Sequence, residues 1–155
     1  MNSRTDPAVS ELLKHLHVEV DAEMPELRDT MRTCRQAKGG NDQTSEDRYG
    51  SLQEFYQPIN REQGRFVHQT VWAVRPECEG EFGASSGTSA ICLAAGLRDS
   101  GAGTLDGSEL IEKKATTARK NLVSAGLEGL ADIRTHVSGP EQLSAHEIPP
   151  DCEIL

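Results

Sequence analysis

The feature that most constrains the fold is the alternation of strand and helix patterns in the second half of the chain. After Pro76, short runs typical of strands alternate with longer runs whose apolar residues repeat at helical spacing. The pattern predicts strands at 79–82, 104–109, 131–135 and 152–155, with helices at 89–99 and 110–125. Such alternation implies a parallel sheet with right-handed crossovers and ligands at the carboxyl ends of the strands. The predicted class is therefore α/β, a partial Rossmann-like parallel sheet of about four strands with N-terminal helices.

Acidic residues within the predicted strands fit such a sheet poorly. A parallel sheet that is buried on both faces has nearly continuous apolar strands. Here the first strand carries Glu79, Gly80 and Glu81, and the second carries Asp106 and Gly107. Because an isolated buried carboxylate is costly, we expect the acids to lie at strand ends.

The part of the chain before the sheet is predicted to be helical. A first helix has one apolar face, formed by Val9, Leu12, Leu13, Leu16 and Val20. A second helical stretch follows Pro25, and a third begins with a capping box at Asn60 and Gln63. The third is expected to bury Phe66, Val67, Thr70, Val71 and Val74, and to stop at Pro76. The polar run 37–51 is predicted as a linker, which divides a helical segment at 1–50 from a Rossmann-like domain at 51–155.

Composition and charge disfavour several classes of partner. The 155 residues include 16 Lys and Arg against 25 Asp and Glu, and the formal net charge of −9 disfavours nucleic acid. No apolar run reaches the ~18 residues of a membrane span, and the first twenty residues differ from a signal peptide. A cytoplasmic protein without a membrane association is expected. The scattered cysteines 34, 78, 92 and 152 are expected to be reduced, and neither they nor the histidines show zinc-ligand spacing.

The stretch EFGASSGTS, residues 81–89, is the candidate ligand-binding loop. Gly83 and Gly87 lie between the first strand and the next helix, whose first N–H groups favour an anionic group. The same small residues also suit an ordinary tight turn. Glu109 favours a ligand, because an acid at the end of the second strand binds ribose hydroxyls in nucleoside sites of this architecture.

Two nucleoside-bearing ligands compete for this loop. A nicotinamide dinucleotide fingerprint needs glycines at two positions where the chain has Ser85 and Thr88. A ligand that lacks a pyrophosphate needs less backbone clearance, and hydroxyls such as Ser85 and Ser89 suit a terminal carboxylate. These features favour S-adenosylmethionine.

The run from Gly80 to Arg134 resembles the cofactor-binding half of class I S-adenosylmethionine-dependent O-methyltransferases of the catechol and caffeoyl-coenzyme A type. Residues 81–89 match the loop of that family in order, and Glu109 matches the acid that ends its second strand. The phrase ARKNLVSAGL matches its next helix, and YQPINREQGRF resembles the segment that closes over the cofactor. The resemblance covers residues 54–155.

The resemblance implies a site for S-adenosylmethionine. The cofactor-binding residues that it implies are Ile59, Glu81, Gly83, Ala84, Ser85, Gly87, Ser89, Glu109, Val137 and Ser138. Ser89 is expected to bind the carboxylate and Glu109 the ribose. Val137 and Ser138 would contact the adenine, although the family often has Gly-Asp-Ala there.

The resemblance also implies a truncated domain. In that family a divalent metal such as Mg²⁺ is bound by an aspartate after the fourth strand and by later segments, which also carry the catalytic base. This chain ends at that strand, so no catalytic or metal-binding residue is assigned. The expected function is a truncated O-methyltransferase acting on a small-molecule hydroxyl, with a partner as one way to supply the missing half. A homodimer is the expected assembly. The alternatives are a non-catalytic S-adenosylmethionine-binding or dimerisation protein derived from this family, and a nicotinamide-dependent oxidoreductase.

Overall fold

Helices and strands alternate from residue 61 to residue 135. The structure, a computed structural model, describes residues 2–37, 54–135 and 153–154. After a 3-10 turn at Ser3–Thr5, the elements are α1 Pro7–Ala37, α2 Arg61–Val74, β1 Cys78–Phe82, α3 Thr88–Ser100, β2 Thr104–Glu109, α4 Glu112–Ser124, β3 Ala131–Thr135 and β4 Glu153–Ile154. The predicted domain boundary at residue 50 lies outside the described residues.

The strands form one parallel sheet in the order β3-β2-β1-β4. The register of β1 and β2 runs from Cys78 opposite Thr104 to Phe82 opposite Ser108. On its other side β1 pairs with β4. The strand order therefore reverses beside β1, which is the switch point where sheets of this type bind ligands. The predicted α/β class and the partial Rossmann-like parallel sheet are confirmed.

The core centres on α3. Every residue from Ala90 to Leu97 in this helix is buried. The helix packs against α2 and against β2. A Cβ at Gly96 would lie only 2.8 Å from the carbonyl oxygen of His68, so α2 and α3 approach closely. This packing fixes the direction in which the chain leaves β1.

One helix replaces the two that were predicted before residue 37. α1 continues through Pro25, which would ordinarily break or kink a helix by removing a hydrogen bond. Leu27 is buried seven residues after Val20 and extends the same apolar face past the proline. α1 has 31 residues, yet no helix in the described part of the chain is long and apolar enough to cross a membrane.

α2 begins as predicted but buries a different side. The capping box is present, with the Gln63 amide N–H donating to Asn60 Oδ1 and the Asn60 N–H donating to Gln63 Oε1, each at 2.8 Å. Phe66 and Val74 are exposed, against expectation, whereas His68 is buried. Gly96 of α3 has no side chain, and this lets α3 approach the side of α2 that carries His68. Close approach of two backbones decided the buried face, rather than apolarity alone.

The acids of β1 are buried within the strand, which corrects the expectation that they lie at its ends. Glu79 is 0% exposed and Glu81 is 8% exposed. Glu81 lies opposite Gly107 of β2. A Cβ at Gly107 would stand 3.7 Å from Glu81 Oε2, an ordinary contact, but only 2.4 Å from Ile133 Cδ1, so the strand glycine leaves room for Ile133. Asp106, on β2, is paired with Arg134 of β3.

The cysteines also differ from expectation. Cys78, the first residue of β1, is disulfide-bonded, so the prediction of reduced thiols is wrong for this residue. Cys92 in α3 is a buried free thiol. Burial raises its pKa to about 11, while the nearby Arg4 lowers it and Glu81 raises it further, so the thiol is neutral at ordinary pH.

Gly87 and Gly126 provide a matched pair for testing the close packing at the start of α3. Both have positive φ, but a Cβ on Gly87 would lie 3.0 Å from the Cα of Ala118, whereas Gly126 faces open space. We expect Gly126→Ala to lower the free energy of unfolding by about 1 kcal/mol, from left-handed strain alone. Gly87→Ala should cost ~1–3 kcal/mol more because of the clash. Urea denaturation of both variants measures this, and equal costs would contradict the packing.

Candidate functional site

The turn between β1 and α3 is held tightly against the end of β2. Gly83, Ser85 and Gly87 all have positive φ. The Gly87 N–H donates to the carbonyl of Ala84 at 2.7 Å, which closes the turn. The Ser108 carbonyl accepts from the N–H groups of Gly83 and Ala84 at 2.8 and 3.0 Å. The turn therefore has one defined position at the carboxyl edge of the sheet.

Glu109, the last residue of β2, reaches the same turn. Its Oε2 accepts from the backbone N–H of Ser85 at 2.8 Å, and its Oε1 accepts from that of Ile111 at 2.9 Å. The residue is 7% exposed. The glycine turn and the acid that were singled out from the sequence therefore meet at one edge of the sheet. Each carboxylate oxygen has a second lone pair, so contact with the turn leaves capacity for a ligand.

Glu81 lies beneath the turn with part of its carboxylate unsatisfied. Its Oε2 is buried and has no hydrogen-bond partner. Burial raises the pKa of Glu81 to about 7; a hydrogen bond with Ser89 lowers it, and the charges of Glu109 and Glu79 raise it. Such a group is stabilised in its ionised form by a nearby cation. The base of the turn is therefore suited to a positively charged group.

Several residues that support this site were not singled out from the sequence. Asn121 in α4 donates from its side-chain amide to the Ser86 carbonyl at 2.8 Å, which ties the turn to α4. The signal for it was present in ARKNLVSAGL, but its role depends on how α4 docks. Lys114 is buried, and its Nζ donates to the Phe55 carbonyl at 2.7 Å. Burial lowers the pKa of Lys114, while the acids Glu109 and Glu54 raise it.

The segment before α2 packs beside the turn. The Gln57 N–H donates to Ser85 Oγ at 3.2 Å, and Tyr56 Oη lies 3.2 Å from Thr117 Oγ1 on α4. The Ile59 carbonyl lies 3.2 Å from His17 Nε2 of α1. The segment that was expected to close over a cofactor therefore bridges the turn, α4 and α1.

The structure brings together only some of the predicted site residues. The convergent group consists of Glu81, Gly83, Ala84, Ser85, Gly87, Ser89 and Glu109. The side chain of Ile59 faces α2 instead, with its Cδ1 3.8 Å from where a Cβ of Gly64 would stand. Val137 and Ser138 lie outside the described residues. Within the described ranges, no group of three or more His, Cys, Asp or Glu side chains is placed to hold a metal ion.

Comparison with known proteins gives a likeness of structure rather than of sequence. No protein-family model and no curated protein matches the chain. The fold resembles an O-methyltransferase from Bacillus cereus in complex with SAH, at 25% identity and a TM-score of 0.47 over 69% of this chain and 43% of that chain. It also resembles the O-methyltransferase TomG from Streptomyces achromogenes in complex with SAM, at 26% identity and a TM-score of 0.46, over 50% and 34% of the two chains.

A third solved structure, the SAH-bound methyltransferase PaMTH1 from Podospora anserina, is 18% identical with a TM-score of 0.48. That match covers 72% of this chain and 49% of the other. The chain thus spans less than half the length of each of these three proteins. All three are methyltransferases, the type of enzyme that the sequence motifs resemble.

The buried carboxyl of Glu81 is expected to make the stability of the fold depend on pH. Its pKa is raised from 4.5 in the reference state to about 7 in the fold, so the folded state holds the extra proton between these values. Stability is therefore lost as pH rises from 4.5 to 7, by about 3 kcal/mol in total. In Glu81→Gln this loss should disappear. The free energy of unfolding of the variant should therefore rise relative to that of the wild type as the pH increases from 4.5 to 7.

Urea denaturation between pH 4.5 and 8 measures the difference in the free energy of unfolding between the two proteins. Glu128→Gln, at an exposed position, is the matched control and should follow the wild-type profile. A constant difference between Glu81→Gln and the wild type across the range would show that Glu81 titrates normally.

Proposed function

We propose that this chain binds S-adenosylmethionine at the turn between β1 and α3 and serves as an O-methyltransferase acting on a hydroxyl of a small molecule. The observation that carries the proposal is the meeting of the glycine turn with two buried carboxylates, Glu81 and Glu109, at the switch point of the sheet. Of the three compared proteins, two are described as bound to SAH and one as in complex with SAM.

The charge of the site distinguishes between the two nucleoside ligands. S-adenosylmethionine carries a sulfonium and an ammonium, and Glu81 Oε2 is a buried acceptor that lacks a partner. A nicotinamide dinucleotide would instead bring an anionic pyrophosphate to a turn flanked by carboxylates, where like charges repel. The residues present therefore fit the methyl donor and disfavour the dinucleotide.

The proposed roles follow from position. Glu109 accepts hydrogen bonds from the ribose hydroxyls, Glu81 faces the cationic end of the methionine, and Ser89 binds its carboxylate. Gly83, which would have no atom within 4 Å of an added Cβ, lets the backbone approach the ligand. Ile59, Ala84, Ser85 and Gly87 complete the proposed site, with Val137 and Ser138 proposed for the adenine. When bound, the cofactor supplies an electrophilic methyl group, and these residues orient it.

No group of three or more His, Cys, Asp or Glu side chains among the described residues is placed to hold a metal ion, and no step is assigned to a metal. The second candidate function is a protein that binds S-adenosylmethionine, or only dimerises, without catalysis. Exposed apolar side chains on α1 and α2 support a homodimer; they are Val18, Met31, Phe66, Trp72 and Val74. Sedimentation velocity at micromolar concentration would show a single monomeric species if that proposal is wrong.

A cytoplasmic location is also a proposal, based on the sequence pattern of the first twenty residues and on the length of the apolar runs. The disulfide at Cys78 weighs against it, because structural disulfides are rare in the reducing cytosol. Immunolocalisation of the protein in its source cells would decide this, and a signal confined to an oxidising compartment would exclude the cytoplasm.

Calorimetric titration tests the cofactor assignment. The wild-type protein should bind S-adenosylmethionine and S-adenosylhomocysteine and show no heat with NAD. Glu109→Ala should weaken binding by about 1–3 kcal/mol, since hydrogen bonds from the ribose to a charged acceptor are lost.

Glu128→Ala, which removes an exposed acid, is the control for loss of charge. Circular dichroism checks that Glu109→Ala still folds. If it does not fold, Glu109→Gln is used instead, because it keeps the size of the side chain. Unchanged affinity in a folded Glu109 variant would remove the ribose assignment, and the absence of heat with both methyl-donor ligands would remove the function.

Activity requires a separate assay. If the chain is an enzyme, adding a catechol, S-adenosylmethionine and Mg²⁺ should yield methylated catechol, detected by mass spectrometry, and chelation should reduce the yield if metal takes part. Binding without any product would favour the non-catalytic alternative for catechols.

A further inference from the structure

A cavity of about 210 Å³ lies where α1, α2 and α3 meet, and none of its lining residues belongs to the turn at 83–89. Four of the side chains that line it are permanent cations: Arg4, Lys14, Arg61 and Arg65. Among the described residues, no acidic side chain lines it. This is a concentration of positive charge in a chain whose formal net charge is −9.

The cations of this cavity have no ion-pair partner within 4 Å in the described part of the chain. None of the four side chains forms a hydrogen bond or an ion pair there. Lys14, Arg61 and Arg65 are exposed and are hydrated, but Arg4 is half-buried. The positive charge is therefore balanced neither by side chains nor, at Arg4, fully by water.

Arg4 gives the strongest evidence for an anion in this cavity. Its Nη1 is buried and has no hydrogen-bond partner. The atom lies 4.0 Å from the point where a Cβ of Gly64 would stand, and the thiol of Cys92, which is neutral, lies 3.0 Å from that point. A buried donor without an acceptor costs ~1–3 kcal/mol, and more when it is charged. An acceptor with negative charge in the cavity would remove this cost.

The acids nearest to Arg4 are already engaged. Asp99 accepts from the Ser3 N–H at 2.9 Å and from the Ser3 hydroxyl at 2.5 Å, and its Oδ2 lies 3.0 Å from His68 Nε2. Asp6 is paired with Arg98 at 3.2 Å. This cluster was not foreseen from the sequence, because its members are 31 to 96 residues apart. It anchors the N-terminal turn that holds Arg4 in place without neutralising Arg4.

A second, larger cavity adjoins the first and shares Arg4 and Arg65 with it. Its volume is about 740 Å³, and it is also lined by Gln69, Trp72 and Asp99, whose carboxylate is already bound by Ser3 and His68. The indole of Trp72 is half-exposed, although large apolar side chains are ordinarily covered. The two cavities together offer guanidinium groups at their junction and an aromatic surface beside them.

We propose that the junction of these cavities binds a phosphate group, held by Arg4 and Arg65 with Arg61 and Lys14 beside them. Guanidinium groups present paired N–H donors that match the oxygens of phosphate. A cavity of 210 Å³ exceeds the ~30 Å³ that one water occupies, and so admits an oxyanion. The ligand is either free phosphate or a phosphate monoester whose organic part lies against Trp72.

Titration of the full chain with inorganic phosphate and with phenyl phosphate tests this proposal. Sodium chloride holds ionic strength constant, no methyl donor is present, and binding is followed by calorimetry and by the midpoint of thermal unfolding. Both ligands should bind and raise the midpoint. A tighter fit of phenyl phosphate identifies a monoester site that extends to Trp72, and equal affinity identifies a site for free phosphate.

Arg4→Gln should weaken phosphate binding about tenfold or more, because it removes charge-assisted hydrogen bonds. The same variant loses the buried unpaired donor, so without phosphate it should be at least as stable as the wild type. Arg65→Gln, at an exposed position, should show a comparable loss of affinity without a change in the fold. Lys120→Gln, an exposed lysine outside both cavities, is the control for net charge.

The proposal is overturned if neither ligand binds at constant ionic strength, or if Lys120→Gln weakens binding as much as Arg4→Gln does. The second result would mean that phosphate responds to overall charge alone. Because the assay contains no methyl donor and the variants leave residues 81–109 unchanged, its outcome is independent of the proposed methyltransferase function.

Discussion

The pair of hydrogen bonds accepted by Glu109 is the interaction on which the candidate site depends. One oxygen binds the Ser85 N–H in the turn, and the other binds the Ile111 N–H just before α4. A single buried carboxylate therefore joins the end of β2 to the turn that follows β1 and to the start of α4. Because a charged acceptor forms stronger hydrogen bonds than a neutral one, this acid orders the carboxyl edge of the sheet even before a ligand binds.

The least favourable group in this arrangement is the buried carboxyl of Glu81. Its carboxyl lies beneath the turn, close to the negative charges of Glu79 and Glu109, and its pKa rises to about 7 because burial disfavours the ionised form. Proteins retain such strained groups chiefly at functional sites, where a ligand offsets the cost. The unpaired Nη1 of Arg4 presents the opposite case, a buried donor that an anion would satisfy. The two unsatisfied groups thus favour ligands of opposite charge.

The fold was largely predictable, and the reasons are local. β2 and β3 have the bounds that the sequence predicted, because each was set by the short run of residues between neighbouring helix and turn signals in the sequence. The start of α2 was predictable because Asn60 and Gln63 cap it through neighbouring backbone groups. The continuation of α1 through Pro25 and the exposure of Phe66 were not, because packing between helices outweighed the local preference in both cases.

The sequence by itself determined the parallel α/β class through the alternation of elements, and the candidacy of the glycine turn and Glu109 through their spacing. Only the tertiary structure decided that Glu81 is buried with an unsatisfied oxygen, that Asn121 and Lys114 support the turn and the segment before α2, and that Arg4 meets Arg65 at a cavity. The reason is physical: spacing along the chain sets which residues share an element, whereas burial and charge balance depend on residues brought together from distant positions.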